Sequence, residues 1–146
     1  MTRTRYAIVG TGSRAQMYLE AIAGAHAEHA ELVAVADTNT GRREWSLARH
    51  PALGSPARFA PEDLSDAIAR HRVDRVIITS PDHTHAEHIV RALESGADAI
   101  TEKPLTIDEQ GVRRIADAVQ RTGREVILTF NYRYSPRNSA LKTVLA

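Results

Sequence analysis

The chain has 146 residues, 42% hydrophobic and 25% charged, enough for one globular domain with a real core. Its formal net charge is +1, and its basic residues fall in short scattered pairs such as Arg42-Arg43 and Arg113-Arg114. Neither nucleic acid nor an anionic membrane is therefore an expected partner. There is no cysteine, which excludes disulfides, thiolate chemistry and cysteine-bound zinc. No apolar stretch approaches bilayer length and the opening residues carry no signal-peptide core, so a cytoplasmic protein is expected.

In chain order, Tyr6–Val9 is a short apolar run that ends at Gly10, and Ala15, Leu19, Ile22 and Ala23 then recur at helical spacing. Leu32–Ala36 is the second run; it ends at Asp37 and leads into a helical segment over Asn39–Arg49. Pro61 precedes a stripe of Leu64, Ala67 and Ile68. Val76–Ile78 ends at Thr79-Ser80-Pro81, followed by a stripe of Ala86, Ile89, Val90 and Leu93 that stops at Gly96. Thr84 and Glu87 have the spacing of a capping box for that helix. Ala97–Thr101 ends at Glu102-Lys103-Pro104; a stripe of Val112, Ile115, Ala116 and Val119 stops at Gly123, and Val126–Leu128 is the last run. Ser135–Ala146 begins an amphipathic stretch through Leu141, Val144 and Leu145.

Apolar runs with little alternation suit strands covered on both faces. Their regular exchange with helical stripes predicts an α/β fold: a doubly wound parallel sheet of order 3-2-1-4-5-6 in three α/β/α layers. In such sheets ligands bind beyond the carboxyl ends of the strands, so the residues that end each run are the candidate site.

Gly10-Thr11-Gly12-Ser13-Arg14-Ala15 fits G-x-G-x-x-G/A directly after the first run. Gly10 permits a tight turn, Gly12 a close approach of backbone to a pyrophosphate, and Ala15 close packing of helix on strand. Free N–H groups at the helix start then bind phosphate, with Ser13 adding a hydroxyl and Arg14 a charge. The competing reading is a strand-to-helix turn that needs glycine for geometry alone. Asp37 stands 25 residues past Gly12, where an acid meets the ribose hydroxyls of a dinucleotide; its other reading is the N-cap of the next helix. A carboxylate there repels a 2′-phosphate. NAD is therefore the expected cofactor, with Arg42 and Arg43 near enough to leave NADP open.

Three strand-end segments together, the Gly10 turn, Thr79-Ser80-Pro81-Asp82-His83-Thr84-His85 and Glu102-Lys103-Pro104, resemble the N-terminal half of the Gfo/Idh/MocA (glucose-fructose oxidoreductase / inositol dehydrogenase / rhizopine catabolism) oxidoreductases. The likeness runs from about Arg5 to Arg133. It implies an NAD(P)-binding Rossmann domain over residues 1–130, with 131–146 as the exit segment and first helix of an α+β substrate domain that this sequence does not include. It nominates Lys103 as the catalytic residue beside the nicotinamide, Glu102 near the cofactor ribose, and Ser80, Pro81 and His85 as lining of the dinucleotide pocket. A surface lysine before a turn proline is the plain alternative for Lys103. Desolvation at a strand end would draw a lysine pKa down toward proton transfer from a substrate hydroxyl. The family pattern Pro-Asn-x-x-His reads Pro81-Asp82-His83-Thr84-His85 here, so Asp82 replaces an amide. Tyr132 and Arg133 either face substrate or pack the linker.

The resemblance implies a hydroxylated small-molecule substrate, and a parent enzyme that is homo-oligomeric through its other domain while this chain alone turns over little. Two alternatives stand beside it: an NAD-responsive regulatory sensor, and a glycoside hydrolase of the same lineage that recycles bound NAD. His83, His85 and His88 have no acidic cluster near them beyond Glu87, so no metal is expected.

Overall fold

The computed structural model describes residues 2–145, without the side chains of residues 131 and 134; Ala146, the last residue of the expected tail stretch, lies outside the described residues. Strands β1 (Thr4–Val9), β2 (Ala30–Ala36), β3 (Ala57–Phe59), β4 (Arg75–Ile78), β5 (Asp98–Glu102) and β6 (Val126–Thr129) form one sheet in the order β3-β2-β1-β4-β5-β6. Every neighbouring pair is parallel. The order is the one expected from the sequence. β3 is the strand that no apolar run marks: three residues at the sheet edge, none fully buried, leave too little hydrophobic pattern to read.

Alternate strand residues feed two cores. Ala7, Val9, Val76 and Ile78 point into the larger one, beneath α3 (Leu64–His71), α4 (His85–Glu94) and α5 (Glu109–Thr122). Ile8, Val35 and Ile77 point into the other, beneath α1 (Ser13–Ala23) and α2 (Thr40–Ala48). This is the period-two alternation of a sheet covered on both faces. The stripes of α1, α3 and α4 bury most of the residues their spacing indicates, with Ala23 and Val90 only half-buried.

The α5 stripe is rotated from its expected phase: Gly111, Ile115 and Ala118 are buried, while Val112 and Ala116 are exposed. The reason is local. A side chain at 111 would run into Thr106, so only glycine lets that helix edge settle inward, and apolar spacing does not register a glycine. The capping box at Thr84 does not form either, because its hydroxyl donates to the Pro81 carbonyl at 2.7 Å. The last helix, α6 (Pro136–Leu145), buries none of its residues, and Leu141, Val144 and Leu145 are exposed.

The sheet's carboxyl edge is set by one close approach. Gly10 has φ +92°, and a Cβ there would lie 2.6 Å from the Ser80 nitrogen. The end of β1 therefore sits directly against the backbone that follows β4, tied by the Thr79 amide to Val9 O at 2.9 Å and the Thr79 hydroxyl to Gly10 O at 2.6 Å. Gly10→Ala should combine left-handed strain with a backbone clash and cost about 3 kcal/mol or more. Thermal unfolding of the variant checks this; a melting temperature equal to wild type would contradict the contact.

Candidate functional site

At the end of β2, Asp37 is 4% exposed and accepts five hydrogen bonds from the protein. Its Oδ2 takes the Thr11 amide at 2.7 Å, the Thr11 hydroxyl at 2.6 Å and Arg42 Nε at 2.9 Å. Its Oδ1 takes the Asn39 amide at 2.8 Å and Arg42 Nη2 at 2.6 Å. Burial by itself would raise the pKa of this carboxyl. The bonds from Arg42, then from Thr11 and the backbone, outweigh burial and hold it well below the usual carboxylate range. The stability this gives is present above the ordinary value of 3.8 and is lost only as pH falls through the lower folded value. Asp37 is not the helix cap: Asn39 caps α2, accepting from the Arg42 amide at 2.9 Å.

A second buried carboxylate ends β5. Glu102 is 5% exposed, and its Oε2 accepts from Arg14 Nη2 at 2.9 Å and Nε at 3.3 Å. Its Oε1 accepts from the Tyr18 hydroxyl at 3.0 Å and the Thr129 hydroxyl at 3.1 Å. Sequence reasoning missed Tyr18 and Thr129. No local pattern marks them, because they meet Glu102 across 84 and 27 residues of chain.

His85, 1% exposed, joins the two strand-end loops: Nδ1 lies 2.8 Å from the Pro104 carbonyl and Nε2 3.0 Å from the Ser80 carbonyl. Both ring nitrogens are thus turned to backbone, and the imidazole fixes the segment after Lys103 against the segment after β4. Lys103 itself is exposed and makes no hydrogen bond or ion pair within the described residues. The desolvation expected of it is not provided by this chain. Among the described residues no group of three or more His, Asp or Glu side chains is arranged to hold a metal ion.

The mouth of α1 differs from those of α2 and α5. Asn39 and Asp108 cap the latter two through their side chains, whereas α1 begins at Gly12 with no side-chain cap and no acid in its first turn. Gly12 has an ordinary φ of −68°, and a Cβ there would meet nothing within 4 Å. The fold itself does not need glycine at this position. Ser13 and Arg14 are exposed beside it, and Ala15 is fully buried against the sheet.

Two clefts flank the contact between Gly10 and Ser80, and Ser80 lines both. One, of about 380 Å³, is bounded by Arg14, Ser80, His85, Glu102, Lys103 and Tyr132. The other, of about 230 Å³, is bounded by Gly10, Asp37, Arg42, Pro81 and His88, among others. The glycine turn runs from Gly10 in the second cleft to Arg14 in the first. All the strand-end residues singled out by sequence therefore meet along one edge. Of the exit segment, Tyr132 faces the larger cleft, while Arg133 borders a separate hollow beside Met17 and Phe130.

The Tyr18 phenol is pushed up to about 12 from 10.0, first by burial and then, against the Thr129 hydrogen bond, by the Glu102 charge. Folding stability that depends on the neutral phenol is complete below pH 10.0 and is lost as pH rises toward about 12. Phenolate absorbance across an alkaline titration should show one late tyrosine that disappears in Tyr18→Phe. Titration of all the tyrosines together near their ordinary value would refute the buried network.

A family model described as an oxidoreductase family with an NAD-binding Rossmann fold matches residues 4–130. The inositol 2-dehydrogenase of Rubrobacter xylanophilus is 34% identical over 145 residues, which are 99% of this chain and 40% of that protein. A glycosyl hydrolase family 109 protein of a Shewanella species is 30% identical over 139 residues, covering 92% of this chain and 30% of that protein. Among solved structures, the WlbA (WbpB) dehydrogenase from Thermus thermophilus, in complex with NAD and UDP-GlcNAcA, superposes with a TM-score of 0.79 at 33% identity over 97% of this chain and 46% of its own. The chain thus spans less than half the length of each of these proteins. No described helix is long and apolar enough to cross a membrane. Fold order, strand-end geometry and the family match agree: the chain belongs to the Gfo/Idh/MocA oxidoreductase family, through its NAD-binding Rossmann fold.

Proposed function

We propose that the chain binds NAD along its carboxyl edge, as the cofactor half of an enzyme that oxidises a sugar- or polyol-like hydroxyl compound. The observation that carries this reading is the pair of clefts joined by the glycine turn, with Asp37 in one and Lys103 in the other. Bound NAD would supply the hydride acceptor; every other role falls to side chains and backbone of the protein. The first-turn amides of α1, at Ser13 and Arg14, have no side-chain cap and lie next to the open space at Gly12, which suits a diphosphate.

Asp37 suits the adenosine ribose, at a cost. Five protein donors already occupy an anion with about four lone-pair positions, so ribose hydroxyls enter only as Arg42 yields. With Arg42 partly released and the carboxylate still ionised, a 2′-phosphate would face a negative charge. NAD is accordingly favoured over NADP.

In the larger cleft, Ser80 and Glu102 hold the nicotinamide end, Glu102 through the Arg14 guanidinium and its own carboxylate, while Pro81 lines the smaller cleft on the adenosine side. His85 acts as a positioning residue, since it fixes the backbone on either side of Lys103 rather than touching the cleft with a free nitrogen. Lys103, which has no hydrogen-bond or ion-pair partner among the described residues, stands on the cleft wall, where its ammonium would orient a substrate hydroxyl and its neutral amine would accept the hydroxyl proton. Its desolvation would come from cofactor, substrate and the further residues that the longer relatives possess. The relatives support this substrate class: one is an inositol dehydrogenase, and another is crystallised with UDP-GlcNAcA. The family description is that of an oxidoreductase, and neither a regulatory sensor nor a redox-neutral hydrolase is favoured over it.

This cleft is open on one side, so the 146-residue chain alone should bind NAD with little or no turnover. Calorimetric titration should show NAD bound in preference to NADP. Gly12→Val should abolish binding while unfolding stability stays within about 1 kcal/mol of wild type. Equal binding by the valine variant would contradict the helix-mouth site. In the longer protein, Lys103→Met should lower kcat by about a hundredfold or more with NAD binding retained; unchanged kcat would remove Lys103 from the chemistry.

A further inference from the structure

His88 lies on the first turn of α4, three residues after His85, and its ring makes no hydrogen bond among the described residues. It is 8% exposed, and its Nδ1 is fully buried with no hydrogen-bond partner. The ring borders the smaller cleft together with Gly10, Asp37, Arg42, Pro61 and Pro81. A proton on Nδ1 would be a buried donor with no acceptor, the rarer and costlier kind of orphan. The proton therefore belongs on Nε2, the ring nitrogen that is not sealed in the core and has no protein partner among the described residues. Burial pushes the imidazole pKa down, Glu87 opposing and Arg91 and His85 adding to it, so the ring is uncharged at neutral pH. What the cleft receives from His88 is thus a neutral N–H donor on a fixed, nearly buried ring.

We infer that His88 is a base-reading residue: its Nε2–H donates to a ring nitrogen of the adenine of a bound dinucleotide, in the cleft beside Asp37. The inference rests on the dinucleotide reading above, which puts a ribose at Asp37 and hence the base in the space next to it. The chemistry suits a purine. Adenine presents three ring-nitrogen acceptors, and the walls include the flat Arg42 guanidinium, Pro61 and Pro81, which suit a planar heterocycle, alongside Thr38, Thr84 and the exposed His83.

ADP-ribose binding to the 146-residue chain, measured by calorimetry, is the test. His88→Leu should bind ADP-ribose roughly three to ten times more weakly than wild type, and His88→Gln, which keeps an N–H donor, should recover part of the loss. One of the 1-deaza, 3-deaza and 7-deaza analogues should bind wild type with the same deficit, and His88→Leu should not distinguish that analogue from the parent ligand. Equal affinity of wild type and His88→Leu for ADP-ribose overturns the inference while the dinucleotide reading stands. So does a set of analogues that all bind wild type as well as ADP-ribose, a result that needs no variant to fold. No binding of ADP-ribose by wild type overturns both.

Discussion

The architecture of the edge depends on the missing side chain of Gly10. Because nothing projects from that residue, the end of β1 lies in contact with the backbone after β4, and the two loops share a ridge. The clefts exist as a pair because Ser80 separates them. A methyl group at Gly10 would push the loops apart, and the distance between Asp37 and Lys103 would no longer be set by the sheet. The two glycines of the turn thus answer to different demands: Gly10 to the fold, and Gly12 to open space outside it.

A common device recurs on both sides of the ridge. Each cleft has a strand-end carboxylate that is almost wholly buried, and each carboxylate is held by an arginine from the helix just after a neighbouring turn: Asp37 by Arg42 and Glu102 by Arg14. Burying an anion is costly unless donors surround it, and both sites meet that condition with hydroxyls as well as guanidinium groups. The result is two fixed negative charges whose arginine partners are nearly half exposed. Binding a diphosphate-linked ligand across such an edge becomes an exchange of partners rather than a creation of new charge pairs. On this account Asp37 and Glu102 stay where the strands put them, and Arg14 and Arg42 adjust.

The fold was legible in the sequence wherever a strand or helix carries its own apolar pattern. β1, β2, β4 and the stripes of α1, α3 and α4 do so, and the residues ending those strands include Gly10, Asp37 and Ser80. Legibility failed where the cause lies elsewhere in the chain. β3 is too short and too exposed to show a period. The phase of α5 is set by Gly111 seated against Thr106, an interaction invisible to hydrophobic spacing. Tyr18 and Thr129 join the site only because β5 and β6 are neighbours and the Tyr18 side chain of α1 reaches their ends. His88 reads in sequence as one of three histidines near a helix start, and only its burial beside Asp37's cleft separates it from His83, which is exposed. His85 is more instructive. The family pattern nominates it as lining of the dinucleotide pocket, while its contacts here are with the carbonyls of Ser80 and Pro104.

A crystal structure of the chain grown with ADP-ribose is the most direct measurement. The diphosphate should lie within hydrogen-bonding distance of the Ser13 and Arg14 amides, over Gly12, with Arg42 drawn away from Asp37 to admit the ribose. A diphosphate seated on any other part of the surface, or a ribose remote from an Asp37 still bound by Arg42, would contradict the account.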